Sequence, residues 1–291
     1  MSEPGPADLL LLRCPRCGGA FDVESSALRC ARCLAVYEVR GGIPDLLPWS
    51  GGVPGSEWSR WREKLDSLQQ WRAETWEGGS ATEARQRVAD ELAAEFFKFM
   101  RVPETGTVLD IGCGSAELRR FVPRRRYVGL DPLVGTPGAP EPPPAAAGDL
   151  IVRGVGEKLP FADGVFETVM ICETLDHALD PVLVIREARR VLKEGGLLAI
   201  LQSVRLEIPA PGLAVRARVS AGRLKARLLG RARVQDADTK MHALGQDQLA
   251  AMAGSEMIVE SGVTRGEVMF LRVLKQDPAA ARRPKRDVGT A

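Results

Sequence analysis

The stretch Val108-Leu-Asp110-Ile-Gly112-Cys-Gly114-Ser-Ala116 decides the fold. It runs off a buried apolar strand, Thr107 to Ile111, through a turn of small residues and into what reads as a helix. Glycine at 112 and 114 and alanine at 116 let the backbone approach a ligand closely, and a helix starting there offers unpaired N–H groups. Outward from this motif, strands and helices alternate. Tyr127-Val-Gly-Leu130 and Phe166-Glu-Thr-Val-Met-Ile-Cys172 read as strands, Pro181 to Leu192 as a helix, and Gly195-Gly196 as the turn into a strand from Leu197 to Leu201. This alternation predicts an open α/β sheet, Rossmann-like, with helices on both faces.

Two details sort the glycine loop among its chemical relatives. A dinucleotide fingerprint needs a third glycine at 117, where this chain has Glu117. Asp110, before the first glycine, instead matches the Asp/Glu-x-Gly-x-Gly pattern, and the loop resembles that of class I S-adenosylmethionine (SAM)-dependent methyltransferases. Further segments agree in order: Glu157-Lys-Leu-Pro-Phe-Ala-Asp-Gly-Val-Phe166, Glu173-Thr-Leu-Asp-His177 and Arg190-Val-Leu-Lys-Glu-Gly-Gly196. Together these cover roughly residues 105 to 201 and are similar to the broad family holding the quinone-biosynthesis methyltransferases.

The resemblance implies SAM as cofactor. It implies Asp110, Gly112, Cys113 and Gly114 around the methionine end, and Asp131 with Pro132 at the ribose. It also implies Val155, Gly156 and Glu157 at the adenine, with Cys172 and Glu173 after the fourth strand. Asp131 before Pro132 also reads simply as a turn initiator. The chain departs from the family at Val155, where an Asp usually holds the adenine amino group. Adenine contact then falls to backbone around Val155 and Gly156, or to Glu157. His177 and Asp176 are the candidate catalytic residues, for a base that removes the acceptor's proton, with Glu173 and His242 as further candidates. His177 reads equally as a polar residue packing its loop.

Upstream stand Cys14-Pro-Arg-Cys17 and Cys30-Ala-Arg-Cys33. Two such knuckles present four thiolates, the donor set of a closed tetrahedral zinc site. Cys14, Cys17, Cys30 and Cys33 therefore read as ligands of a structural Zn²⁺, with no open position for substrate. Arg16 and Arg32 offset the thiolate charge. The stretch ending in Gly42-Ile-Pro-Asp-Leu-Leu-Pro48 resembles the zinc ribbons that activate tRNA and protein methyltransferases, and those fused to rRNA guanine methyltransferases.

The domain reading follows: a ribbon over 1–48, a helical linker or lid over 49–101, a methyltransferase domain over 102–275, and a disordered basic tail over 276–291. In the linker, Trp58, Trp61, Leu65, Leu68 and Trp71 recur at helical steps, which fits burial against the next domain or a substrate lid. A second helix runs from Thr82 to Met100, after the break at Gly78-Gly79-Ser80. Pro132 to Gly148 is too rich in proline for the helix a regular βαβ unit would carry there. A basic excursion, Val204 to Met241, holds Arg205, Arg216, Arg218, Arg223, Lys225, Arg227, Arg231, Arg233 and Lys240.

Composition is that of a globular protein, 45% apolar and 27% charged, with a net charge of +2 that announces no polyanionic partner. The lack of a long apolar run argues against a membrane span or leader, so the chain reads as cytoplasmic, with reduced thiols. The acceptor reads as a small molecule or glycoconjugate, methylated on O or N. The apolar residues spaced through the excursion fit a cap over such a molecule, and it has no aromatic residues to stack bases. RNA is the alternative partner, held by ribbon and excursion. A non-catalytic ribbon protein with a vestigial SAM fold is a third. Oligomeric state is not legible.

Overall fold

The computed structural model describes residues 4–24, 26–50, 58–76, 81–136, 148–204, 242–255 and 257–276, and within 70–89 the backbone alone. The Gly51 to Gly55 break, the Gly78-Gly79-Ser80 interruption, most of the Pro-rich segment, the basic excursion from 205 and the tail from 277 lie outside the described residues.

A seven-stranded sheet forms the centre, in the order β10-β11-β9-β8-β5-β6-β7. β5 (Thr107–Ile111), β6 (Arg126–Asp131), β7 (Leu150–Arg153), β8 (Phe166–Cys172) and β9 (Leu192–Ser203) run parallel. β10 (Ile258–Arg265) and β11 (Val268–Leu274) close one side as an antiparallel hairpin, β11 pairing with β9. Parallel strands covered on both faces must be apolar almost throughout, as β5 and β6 are. Along β5, Leu109 and Ile111 pack into one layer and Val108 into the other.

Helices cover both faces, as expected. On one lie α4 (Pro181–Val191) and α5 (Gln246–Gly254), with Val184, Ile185, Ala188, Val191 and Leu249 in the core. α4 starts where its sequence says it must. Asp180 accepts the Leu183 N–H at 3.0 Å as N-cap, and Pro181 takes the first turn. On the other face α3 (Ala81–Met100) buries Phe96 and Met100 with Val108, Tyr127 and Phe270. The helix expected after the glycine loop is a five-residue 3₁₀ turn, Glu117–Phe121. Ala116 enters it at φ +60°, and Pro123 follows too soon for an α-helix to form. β9 begins at Leu192, earlier than its expected Leu197 start, and Gly195 bends within it at φ +73°.

The N-terminal module consists of α1 (Pro6–Leu11) and a four-stranded antiparallel sheet of β1 (Phe21–Glu24), β2 (Ala27–Cys30), β3 (Val36–Arg40) and β4 (Ile43–Pro44). It does not stand apart. The β7–β8 connection holds only the 3₁₀ turn Gly156–Lys158, so among the described residues the α4 face of β6 and β7 has no helix of its own. The ribbon fills that place. Leu12, Leu28, Tyr37 and Leu46 share one apolar cluster with Val128, Leu130, Leu150 and Val152. Leu12 bridges Phe161 and Asp45 bridges Arg153, so the ribbon also caps the β7 edge. No helix among the described residues is long and apolar enough to cross a membrane.

Candidate functional site

β5 is flanked by β6 and β8, and the connections leaving β5 and β8 depart to opposite faces of the sheet. A crevice opens at the carboxyl ends of strands at such a point. Here it is a cavity of about 230 Å³. Each strand delivers its residue: Gly112 after β5, Asp131 at the end of β6 with Pro132 following, Val155, Gly156 and Glu157 after β7, and Glu173, Thr174 and His177 after β8. Leu133, Ala178 and Val184 add apolar wall, and Trp61 and Leu68 reach in from α2 (Ser59–Trp76), which lies across the opening.

On the cleft wall Gly112 packs too tightly against Thr174 for any side chain. That residue sits at φ +76°, and a Cβ there would meet Thr174 Oγ1 at 2.2 Å. The N–H groups of the loop, expected to be available, are taken up inside the fold. Those of Gly112 and Cys113 both go to the Leu130 carbonyl at 2.7 and 3.1 Å, and that of Gly114 to Asp131 Oδ2 at 3.1 Å. Asp131 is thereby fixed at both oxygens, since Oδ1 accepts the Leu133 N–H at 2.8 Å. Glu173 stands at φ +50°, a strained setting for a residue with a side chain, and that kink aims it into the cleft.

Beneath the loop Asp110 is 1% exposed. Tyr127 donates its hydroxyl hydrogen to Oδ2 at 2.6 Å, while Oδ1 is buried without a hydrogen-bond partner. Burial pushes this carboxyl up to about 7, the charge of Asp131 adds to the rise, and the Tyr127 hydrogen bond opposes it. Asp110, Cys113, Gly114 and Cys172 lie behind the wall, not on it. An orphaned acceptor oxygen under a glycine-lined turn fits a cationic group held nearby.

Beside the cleft, Glu157 Oε1 accepts the N–H groups of Leu179 and Asp180 at 2.8 and 3.3 Å, and burial raises its pKa. His177 Nε2 is 3.9 Å from Asp176 Oδ1, so the two candidate catalytic side chains are neighbours. His242 takes part less directly: its N–H donates to the Asp176 carbonyl at 3.2 Å. α2 adds Lys64, which burial pulls down and the charges of Glu157 and Asp176 hold up. Sequence reading missed Lys64, Thr174 and Tyr127. Tyr127 left a trace, because a phenol hydroxyl in a buried strand has to find a polar partner.

The four ribbon cysteines converge, their sulfurs all lying within 4.8 Å of one another. Cys14 and Cys33 are 3.7 Å apart and Cys17 and Cys30 3.4 Å. A tetrahedron with metal–sulfur bonds of about 2.3 Å has edges of about 3.8 Å, so the donors fit Zn²⁺ in type, number and spacing. Gly19 makes this possible, since a Cβ there would lie 2.9 Å from the Cys30 sulfur. The Tyr37 hydroxyl stands 3.4 Å from the Cys14 sulfur, behind the ligands.

Residues 109–200 match the family profile described as a methyltransferase domain, about a third of the chain. An uncharacterized methyltransferase of Mycobacterium sp. (strain JLS) is 36% identical over 105 residues, covering 35% of this chain and 40% of that protein. The demethylmenaquinone methyltransferase of Listeria welshimeri is 33% identical over 129 residues, covering 40% of this chain and 52% of that protein. The chain thus spans about half the length, or less, of the curated relatives it matches. Among solved structures, a complex between the Haloferax volcanii Trm112 methyltransferase activator and a protein described as a methyltransferase aligns with a TM-score of 0.50. The alignment has 16% identity and covers 68% of this chain and 96% of that one. The sheet order and the helices on both faces are those of the class I methyltransferase fold, here joined to a small cysteine ribbon.

Proposed function

We propose that this chain, which carries a methyltransferase domain over residues 109–200, is a SAM-dependent methyltransferase whose N-terminal ribbon binds a structural zinc ion. The observation that carries the reading is the cleft at the switch point. It sits within the matched segment, with Asp131 fixed on its wall and an unpartnered carboxylate oxygen of Asp110 below its glycine turn. When bound, SAM supplies an electrophilic methyl on a sulfonium. Asp131 holds the ribose hydroxyls, Asp110 from behind the glycine turn lends its negative charge to the methionine ammonium, and Val155, Gly156 and Glu157 border the adenine. Alignment and exclusion of water are then the protein's main tasks, and Trp61 and Leu68 serve the second as a roof. His177, steadied by Asp176, takes the proton of a hydroxyl or amine acceptor.

The acceptor we favour is a small molecule or glycoconjugate, because the cavity lining among the described residues is largely apolar. A second reading, RNA, draws on Arg13, Arg16 and Lys158, which line a groove beside the first cysteine knuckle, where Arg190 is already paired with Glu187 and Asp163. Labelled SAM turned over against metabolite and RNA extracts, with mass spectrometry of the product, separates the two. A small labelled product supports the first, and labelled RNA with a steep salt dependence of binding supports the second. Failure of the zinc-loaded protein to bind SAM or its demethylated by-product removes the enzyme reading.

A further inference from the structure

Arg153 ends β7 at the sheet edge and reaches in two directions. Its Nε donates to the Pro132 carbonyl at 3.0 Å, and its Nη1 reaches Asp45 Oδ2 at 2.6 Å. Its own carbonyl accepts the Leu46 N–H at 2.9 Å. Asp45 follows β4 directly and is fixed in turn by the Ser50 hydroxyl at 2.7 Å and the Leu47 N–H at 3.4 Å. The ion pair is only 18% and 16% exposed at its two side chains, so neither charge is well solvated alone. Leu47 then packs with Leu133 and Val155 of the cleft wall and with Trp61, Leu65 and Leu68 of α2. The last residues of the ribbon therefore touch the wall that follows Asp131 and the roof above it.

We propose that Arg153 is a positioning residue that couples the four-thiolate ribbon to the ribose-side wall of the cleft, so that an intact ribbon raises the affinity for the donor. The inference rests on the SAM reading above, and it goes beyond that reading by giving the ribbon a part in binding at the cleft. The physical reason is local. Pro132 has no N–H to anchor its turn. Arg153 holds the Pro132 carbonyl from outside, and Asp45 holds Arg153. Loosening either end frees the turn whose Leu133 N–H fixes Asp131 Oδ1.

The test is calorimetric affinity of the zinc-loaded full chain for S-adenosylhomocysteine, which needs no acceptor. Asp45→Asn and Arg153→Met are each expected to weaken binding about tenfold. The double variant should be no weaker than Arg153→Met alone, because the two residues act as one strap. Arg153→Lys, which keeps one of the two contacts, should recover part of the affinity. Arg29→Met, which breaks the exposed Arg29–Glu24 pair on the ribbon hairpin, should leave it unchanged. By linkage, S-adenosylhomocysteine should also tighten zinc retention against a chelator in the wild type, lose that effect in Arg153→Met and keep part of it in Arg153→Lys. Zinc content and near-ultraviolet dichroism check that each variant is folded; if Arg153→Met is not, Arg153→Lys and the wild-type linkage decide. Single variants within twofold of the wild type, losses that simply add, or zinc retention indifferent to the ligand would overturn the proposal. A wild type that binds no S-adenosylhomocysteine removes the methyltransferase reading as well, whereas a binding wild type with unaffected variants removes the coupling alone.

Discussion

Asp110 and Gly112 carry the most local consequences. The Asp110 carboxyl is raised from 3.8 to about 7, so between those values the folded chain keeps a proton that the unfolded chain has lost. Its contribution to stability therefore falls as pH rises through that window. A cation bound above it favours the ionised form. Uptake of S-adenosylhomocysteine at about pH 6 should accordingly release a proton, and affinity should climb as pH rises toward 7. Calorimetry in buffers of different ionisation enthalpy measures this directly, and binding with no proton released would remove Asp110 from the ligand's surroundings. Tyr127→Phe deletes the one hydrogen bond holding that carboxyl down and should move the proton release to higher pH. Gly112→Ala puts a Cβ against Thr174 at 2.2 Å and a side chain at φ +76°. It should weaken ligand binding by more than about tenfold and cost stability as well, since left-handed strain alone is worth about 1–3 kcal/mol. Unchanged affinity would mean that the glycine serves only the fold.

Among the elements, α2 is the one whose removal from the cleft is most easily read. Lys64 on its inner face balances Glu157 and Asp176. Lys64→Met should lower the unfolding free energy most at about pH 8 and less at about pH 5, because Glu157, already raised by burial, takes up a proton as the pH falls. Denaturant unfolding at the two pH values checks it, and an equal loss at both would separate Lys64 from the carboxylates. The strands that hold the cleft were legible in sequence because burial on both faces leaves near-continuous apolar runs, as in β5, β6 and β8. β7 escaped notice because Leu150-Ile-Val is so short and follows a proline-rich stretch. β10 lies at the open edge and is mostly exposed, so its residues show no clean alternation, and the β10–β11 hairpin went unread with it. The residues of the cleft were legible by type. What was hidden was how the loop uses its N–H groups, since the Leu130 carbonyl that takes two of them is marked by nothing in its side chain.

For the molecule as a whole, the ribbon's cysteine spacing announced a metal site, but its place in the fold was invisible. Leu12, Leu28, Tyr37 and Leu46 read as ordinary core of a small module, and nothing in their spacing says that they close the α4 face of the large sheet. Because they do, zinc removal should not unfold a detached ribbon. A chelator should instead lower one cooperative thermal transition of the whole chain, by more than about 10 °C, since metal-binding free energy is folding free energy in such modules. Two separated transitions would show that the ribbon and the sheet fold independently.

The central claim is that the crevice between β5 and β8 takes a sulfonium donor. Titrating zinc-loaded chain with SAM and with S-adenosylhomocysteine in a calorimeter tests it most directly. One site per chain with micromolar affinity, weakened by more than about tenfold in Gly112→Ala, is expected. Folded, zinc-loaded protein that gives no binding heat with either ligand at millimolar concentration would contradict it.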